Sequence, residues 1–327
     1  MKTGVNIVML TGILILVLSG ICQGSFGLGY KKYSPLSWEA FWGVYSLFCL
    51  IVAAAWTFII CPNVCSIISE SGAYAFVIPF ICGMVWGVST IAFSKSVLMI
   101  GMSLCFGVNM GISSVVGTVI PFISAGGTAG ISSVVYLAVS IIITLIGITV
   151  ITKAGLMKDK VQKTKSTIPG ILLAIISGLC SGIMNVGFDK ASVMGNLAEN
   201  DTAASAIQWF PVLTGGMAAS IICCVVLMIK NKTINTFAEE GVGVRLSKLF
   251  ATSIVWFAAL ALYGIASKML GDYGSSIGWL VFNAIALIVS SFWGLITGEW
   301  KNAEGARKLL YVGDIILIVS WIFLIKV

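Results

Sequence analysis

Residues 12–32, GILILVLSGICQGSFGLGYKK, return 158 positions later as residues 170–190, GILLAIISGLCSGIMNVGFDK. Gly12, Ile13, Leu14, Ser19, Gly20, Cys22, Gly24, Gly29 and Lys32 recur as Gly170, Ile171, Leu172, Ser177, Gly178, Cys180, Gly182, Gly187 and Lys190. Each copy belongs to an apolar run of about 20 residues, the length an α-helix needs to cross ~30 Å of hydrocarbon. Lys2 before an apolar run ending near Cys22 has the outline of a leader, but Ile21 stands where lipoprotein processing expects a small residue. A cleaved leader has no reason to be duplicated in mid-chain, so the first copy reads as a span.

The rest of the chain has the same character. Of 327 residues, 59% are apolar and 9% charged, and the mean hydropathy is +1.08. Soluble domains have roughly 45–50% apolar and about 25% charged residues. A soluble enzyme, a disordered tail and a nucleic-acid-binding domain are excluded, because too few charges remain to cover a solvated surface. Ten spans are predicted, near 4–27, 37–60, 73–93, 98–122, 130–152, 168–188, 203–229, 248–267, 274–297 and 309–326. They are continuously apolar rather than alternating, which excludes a β-barrel. The expected fold is an all-α membrane protein.

The duplication equates span one with span six. Later echoes agree: Val85-Trp86 with Val255-Trp256, Ser94-Lys95 with Ser267-Lys268, and Gly101 and Ser103 with Gly274 and Ser276. Two homologous units, 1–160 and 161–327, then hold five spans each. Five is odd, so the units insert in opposite directions, a recurrent transporter plan with its site between the repeats. Loops after the odd-numbered spans hold 15 of the 19 Lys and Arg residues; only Lys2, Lys190, Lys268 and Lys326 lie on the other side. That bias marks the first set as cytoplasmic and puts both termini outside, with the segment 153–167 as the hinge between the halves.

Several short motifs resemble the L-rhamnose–proton symporter family of the drug/metabolite transporter superfamily. They are Lys31-Lys32 followed by Ser37-Trp38-Glu39, Pro62-Asn63, Trp86-Gly87, Gly101-Met102-Ser103 and Gly117-Thr118. Further along come the run from Gly147 through Thr152, Ala154-Gly155, Lys158 and Glu299-Trp300-Lys301-Asn302-Ala303. They follow in order over nearly the whole chain, so they speak to the fold; being short and concerned mostly with packing, they say less about substrate. The resemblance implies ten helices in a bacterial inner membrane, both ends periplasmic, and uptake of a 6-deoxy sugar with a proton. This chain departs from the family in lacking histidine and in a short connection between spans six and seven, which bears on the outer vestibule and the sugar preference.

A sugar site combines amides and hydroxyls, which fix the ligand's hydroxyls, with aromatic rings that pack its C–H faces. Amides inside the spans are Gln23, Asn109, Asn185, Gln208 and Asn283. Asn109 and Asn283 fall within one position of each other under the repeat, near the centres of their spans. Each amide has the alternative role of an interhelical hydrogen bond. Trp86 and Trp256 are repeat-related and central, and Trp209, Tyr263 and Trp279 also lie in or near spans. They are either a sugar platform or packing. Trp38, Trp42, Trp300 and Trp321 fit an interfacial aromatic belt.

With no histidine, the coupling proton falls to carboxylates: Glu39 at the start of span two, Asp189 at the outer end of span six, and Asp314 inside span ten. Glu299 reads as a cap or a partner of Lys301 or Arg307. Gly20/Gly24, Gly178/Gly182, Gly83/Gly87 and Gly107/Gly111 are spaced for close helix approach. Pro79 and Pro211 are the prolines inside spans, with no paired midspan break of the kind that builds a sodium site. Proton coupling is favoured over sodium. No metal cluster, cofactor loop or catalytic triad is expected; Cys61 and Cys65 read equally as a disulfide or two thiols. The expected partners are a sugar, a proton and the lipid bilayer, with no nucleic acid; a homodimer is left open, as are another sugar, a nucleoside or an exported metabolite as cargo, and a non-transporting sensor.

Overall fold

The structure, a computed structural model, describes residues 2–29, 34–125, 130–159, 168–301 and 303–324. Lys31, Lys32, Lys160, Lys163, Lys165, Asn302 and Lys326, used above for orientation and motifs, lie outside them, as does most of the expected hinge. The described residues form helices and no strands. In chain order these are α1 Lys2–Ser25, α2 Trp38–Ile60, α3 Val64–Ser71, α4 Ala73–Ile100, α5 Met102–Ser124, α6 Ile131–Asp159 and α7 Ile168–Lys190. Then come α8 Ser192–Gly195, α9 Asp201–Asn231, α10 Val242–Met269, α11 Gly274–Ile296 and α12 Glu304–Leu324.

Among the described residues, nine helices are long and apolar enough to cross a membrane. They are all the long ones except α12, in which every stretch of 18 residues contains Arg307, Lys308 and Asp314. The short α3 and α8 were not expected. They pack together at one end of the bundle, where Cys61, Val64, Ile67, Ala191 and Met194 share an apolar cluster. Cys61 and Cys65 are free thiols.

Breaks between helices follow local chemistry. Ser37 caps α2 by accepting the Ala40 amide, and Asn200 caps α9 by accepting the Ala203 amide. Gly101, at φ 79°, separates α4 from α5 with a single residue, a conformation that costs glycine little. Span four thus begins later than predicted and span three runs longer.

Side-chain bonds fix which helix ends lie together. Arg245 Nε donates to the Ser34 carbonyl at 3.1 Å, Asn231 to Glu39 at 2.9 Å, and Ser96 to the Gly170 carbonyl at 2.8 Å. Lys158 lies 3.8 Å from Glu299. These bonds join the start of α2 to the end of α9 and the start of α10, the end of α4 to the start of α7, and the end of α6 to the end of α11. We call these helix ends the basic end. At the opposite end Lys190 donates to Ser124 and Lys268 to Asn196.

The helix contacts come in matched pairs. Helix α7 packs against α4 and α5, and α1 packs against α10 and α11. Gly20 and Gly24 meet Ile285, Ala286 and Val289 of α11, while Gly178 and Gly182 meet Asn109, Ile112 and Val116 of α5. Other contacts join helices that the sequence reading expects to correspond. Ser46 of α2 donates to Ser220 of α9 at 2.9 Å. Thr118 of α5 and Ser276 of α11 each donate to the other's carbonyl, at 3.2 and 2.6 Å. Gly147 of α6 and Gly313 of α12 lie against each other's backbone. Between lipid-facing helices there is no hydrophobic drive to associate, so small residues and interhelical bonds hold them.

Candidate functional site

A cavity of about 150 Å³ opens in the middle of the bundle, with side chains from eight long helices in its wall. Six of the ten expected substrate residues line it: Gln23, Trp86, Asn109, Trp256, Trp279 and Asn283. Trp86 and Trp256, which the sequence pairing matched, stack with parallel rings, centroids 5.8 Å apart and planes within 7°. Tyr45 meets the edge of Trp256 and Trp42 meets Tyr45, so one wall is a chain of aromatic rings.

The polar part comes from both halves. Asn109 Nδ2 donates to Ser177 Oγ at 2.7 Å, and Asn283 Nδ2 to the Trp279 carbonyl at 2.9 Å. Their amide oxygens accept no bond among the described residues, and the same holds for the buried Oε1 of Gln23. Three acceptors in a wall otherwise rich in indole and serine suit a ligand whose surface alternates hydroxyls with C–H faces.

Several lining residues escaped the sequence reading. Trp42 was expected in the interfacial belt; instead it joins Tyr45 and Ser46 on the cavity face of α2. The signal was present, since i, i+3 and i+4 share one helix face. Ser89, Thr90, Ser177, Ser181 and Ser220 also line the cavity, but serine and threonine are frequent enough in membrane helices to carry no flag. Trp300 is a second correction to the belt: it is 7% exposed and lies beneath Lys158, whose Nζ is 4.7 Å from the ring centroid.

The other four expected substrate residues do not line the cavity. Asn185, Trp209 and Tyr263 are buried outside its wall, toward the opposite end. The Tyr263 hydroxyl lies 2.6 Å from Asn185 Oδ1 and 2.7 Å from the Ser275 carbonyl, its one proton shared between two acceptors. Asn185 Nδ2 donates to the carbonyls of Gly117 and Ser275, at 2.8 and 3.0 Å. Trp209 Nε1 donates to the Leu260 carbonyl, and Trp279 Nε1 to that of Ser113. These bonds lace α5, α7, α9, α10 and α11 into one buried layer. Gln208 donates to the Phe188 carbonyl and faces a larger chamber past the layer, of about 510 Å³.

The three acids are far from equivalent. Asp189 lines that larger chamber and accepts the Ser275 hydroxyl at 2.6 Å, which attaches it directly to the buried layer. Lys190 and Lys268 share the chamber but turn to Ser124 and Asn196; Asp272 completes its charged lining. Glu39 accepts bonds from both Asn231 and Thr233, tying the start of α2 to the end of α9 outside the cavity wall. Asp314 sits on α12, which packs on α6 and α11 away from the cavity, and its Oδ1 accepts no bond among the described residues. No group of His, Cys, Asp and Glu among the described residues is arranged to hold a metal ion.

Comparison with known proteins bears on the whole length. A model of the family described as L-rhamnose-proton symport protein (RhaT) matches residues 5–324. An L-rhamnose-proton symporter of Cronobacter sakazakii is 24% identical over 331 residues, covering 94% of this chain and 95% of that protein. The one of Mannheimia succiniciproducens is 24% identical over 314 residues, covering 89% and 90%. That of Yersinia pestis is 21% identical over 337 residues, covering 96% and 97%. A match that starts in α1 and ends at the last residue of α12 takes in every helix that lines the cavity and seals it, and the chain belongs to the L-rhamnose-proton symport protein (RhaT) family.

Proposed function

We propose that this chain takes up a 6-deoxy monosaccharide, L-rhamnose in the first instance, together with a proton and by alternating access. Ten spans form two inverted repeats, 1–160 and 161–327, with both termini outside a bacterial inner membrane. The observation that carries this reading is the central cavity, whose wall joins amides with unengaged oxygens to a stacked tryptophan pair. The names of the relatives supply the sugar and the proton. The matched contacts of α1 and α7, and the meeting of each of α2, α5 and α6 with its counterpart, support the inverted repeat.

The basic end faces the cytoplasm by the positive-inside rule. The buried layer around Tyr263 and Asn185 is then an outer seal, and the conformation described is closed outside. Sugar binds in the cavity when the seal is open. Closure of the seal and parting of the basic end deliver it inward. Of the three acids, Asp189 fits the coupling role, because it faces the outer chamber and holds Ser275, a member of the seal. The ionised carboxylate accepts the Ser275 hydroxyl and favours closure; a proton arriving from outside removes that anionic acceptor and favours opening. With sugar bound the seal closes over the protonated acid, and the proton leaves toward the cytoplasm before the ionised carboxylate takes the Ser275 hydroxyl again, so one proton crosses with each sugar.

Labelled L-rhamnose uptake into proteoliposomes tests the reading. A pH gradient, acid outside, is expected to drive accumulation above equilibrium. Folded protein that accumulates nothing under that gradient overturns it. A second result concerns the indole pair. Trp256→Ala is expected to weaken sugar counterflow affinity roughly tenfold, about 1.4 kcal/mol. Trp86→Ala should match it, and the double variant should lose little more, because either change destroys the same stack. Fully additive losses would mean that the two rings act separately.

A further inference from the structure

A third chamber, of about 220 Å³, lies between α1, α5, α6 and α11 at the basic end. Gln23, Phe26, Phe106 and Met110 belong to its wall and to that of the central cavity, so these side chains stand between the two spaces. Its far rim carries Lys158 and Glu299, 3.8 Å apart, with Trp300 under the lysine. Ser290 is exposed into it and makes no side-chain bond among the described residues. Two stretches of chain some 140 residues apart, Thr152 to Lys158 and Glu299-Trp300, converge here.

The chamber repeats the chemistry of the central site in a different mixture. Its carboxylate accepts hydroxyl protons, its ammonium donates, and indole and phenyl surfaces offer apolar faces. The unpartnered Oε1 of Gln23 stands at the junction. A buried amide oxygen without a donor costs about 1–3 kcal/mol, which a ligand hydroxyl relieves once the side chain turns toward either chamber. We propose that this chamber is a second monosaccharide site on the cytoplasmic route, with Glu299 accepting the sugar's hydroxyls and Gln23 shared by both sites. The inference rests on the proposed transport of a sugar through the central cavity.

Equilibrium dialysis of the purified full chain against labelled L-rhamnose tests it. Wild-type protein is expected to bind two sugars per chain. Glu299→Gln, which removes the anionic acceptor, and Ser290→Phe, which fills the space, should each leave one. Trp256→Ala should weaken the other site instead. A wild-type stoichiometry of one, lost in Trp256→Ala and unmoved by either chamber variant, overturns the second site while the central one stands. Absence of any L-rhamnose binding to folded protein overturns both.

Discussion

Asp189→Asn is expected to abolish proton-driven accumulation of L-rhamnose while leaving sugar exchange across the membrane intact. The amide matches the carboxylate in shape and still offers Ser275 an oxygen, so the seal keeps its geometry. It carries no charge and takes up no proton, so the position of the seal no longer depends on external pH. A charge-assisted hydrogen bond is roughly twice as strong as a neutral one, and its loss also eases opening. Exchange rates should therefore hold or rise, whereas the accumulation ratio falls to about one, the limit for a carrier that does no coupled work. The measurement is uptake against counterflow in the same proteoliposomes. Glu39→Gln and Asp314→Asn should both keep gradient-driven uptake, since neither residue lines the cavity or joins the seal. Accumulation by Asp189→Asn, or its loss in one of the other two, would move the coupling role elsewhere.

Gly87→Leu is expected to prevent assembly. A Cβ at Gly87 falls on the backbone carbonyl of Gly216, and one at Gly83 on that of Val212, so α4 and α9 touch backbone to backbone. Trp86 rests on the same Gly216, its ring carbon 2.6 Å from where a Cβ would stand. A leucine here must drive two long helices apart along the edge of the cavity, and overpacking of even a tolerant core costs about 1–3 kcal/mol. With rigid backbone opposite and no side chain able to turn away, the yield of monodisperse protein on gel filtration should drop by roughly a hundredfold, as a penalty near the top of that range implies. Gly111→Ala supplies the contrast. Its nearest neighbour is the end of the Leu145 side chain at 3.6 Å, and normal yield is expected. Equal losses would mean that glycine spacing, and not the backbone contact, governs folding.

Those two glycines also mark how far the sequence could be read. Four pairs spaced four apart looked alike on paper. Three touch neighbouring elements closely, Gly107 meeting Thr152 of α6, yet Gly111 has room to spare. Spacing tells which residues share a face but says nothing of what lies opposite. The duplication was more informative, because it links distant positions: Trp86 and Trp256, matched by repeat alone, stack on each other, and Asn109 and Asn283 share one cavity. Asn185 and Tyr263 could not be told from them. These helices are apolar on most faces, so no polar stripe distinguishes a side chain aimed at a ligand from one aimed at a neighbour's carbonyl. Helices α3 and α8 were missed for a simpler reason, being shorter than any membrane-crossing ruler.

The bonds that bind Tyr263, Asn185 and Ser275 together have a thermodynamic consequence beyond closing a passage. In the proposed orientation, at about 1 kcal/mol net for each hydrogen bond, they set how rarely the carrier presents itself to the outside. An external sugar binds only that minority of molecules, so the concentration for half-saturation is the intrinsic dissociation constant divided by their fraction. Affinity measured from outside is therefore written partly in residues that never touch the sugar, and evolution can retune scavenging at low concentration without altering a single contact in the cavity.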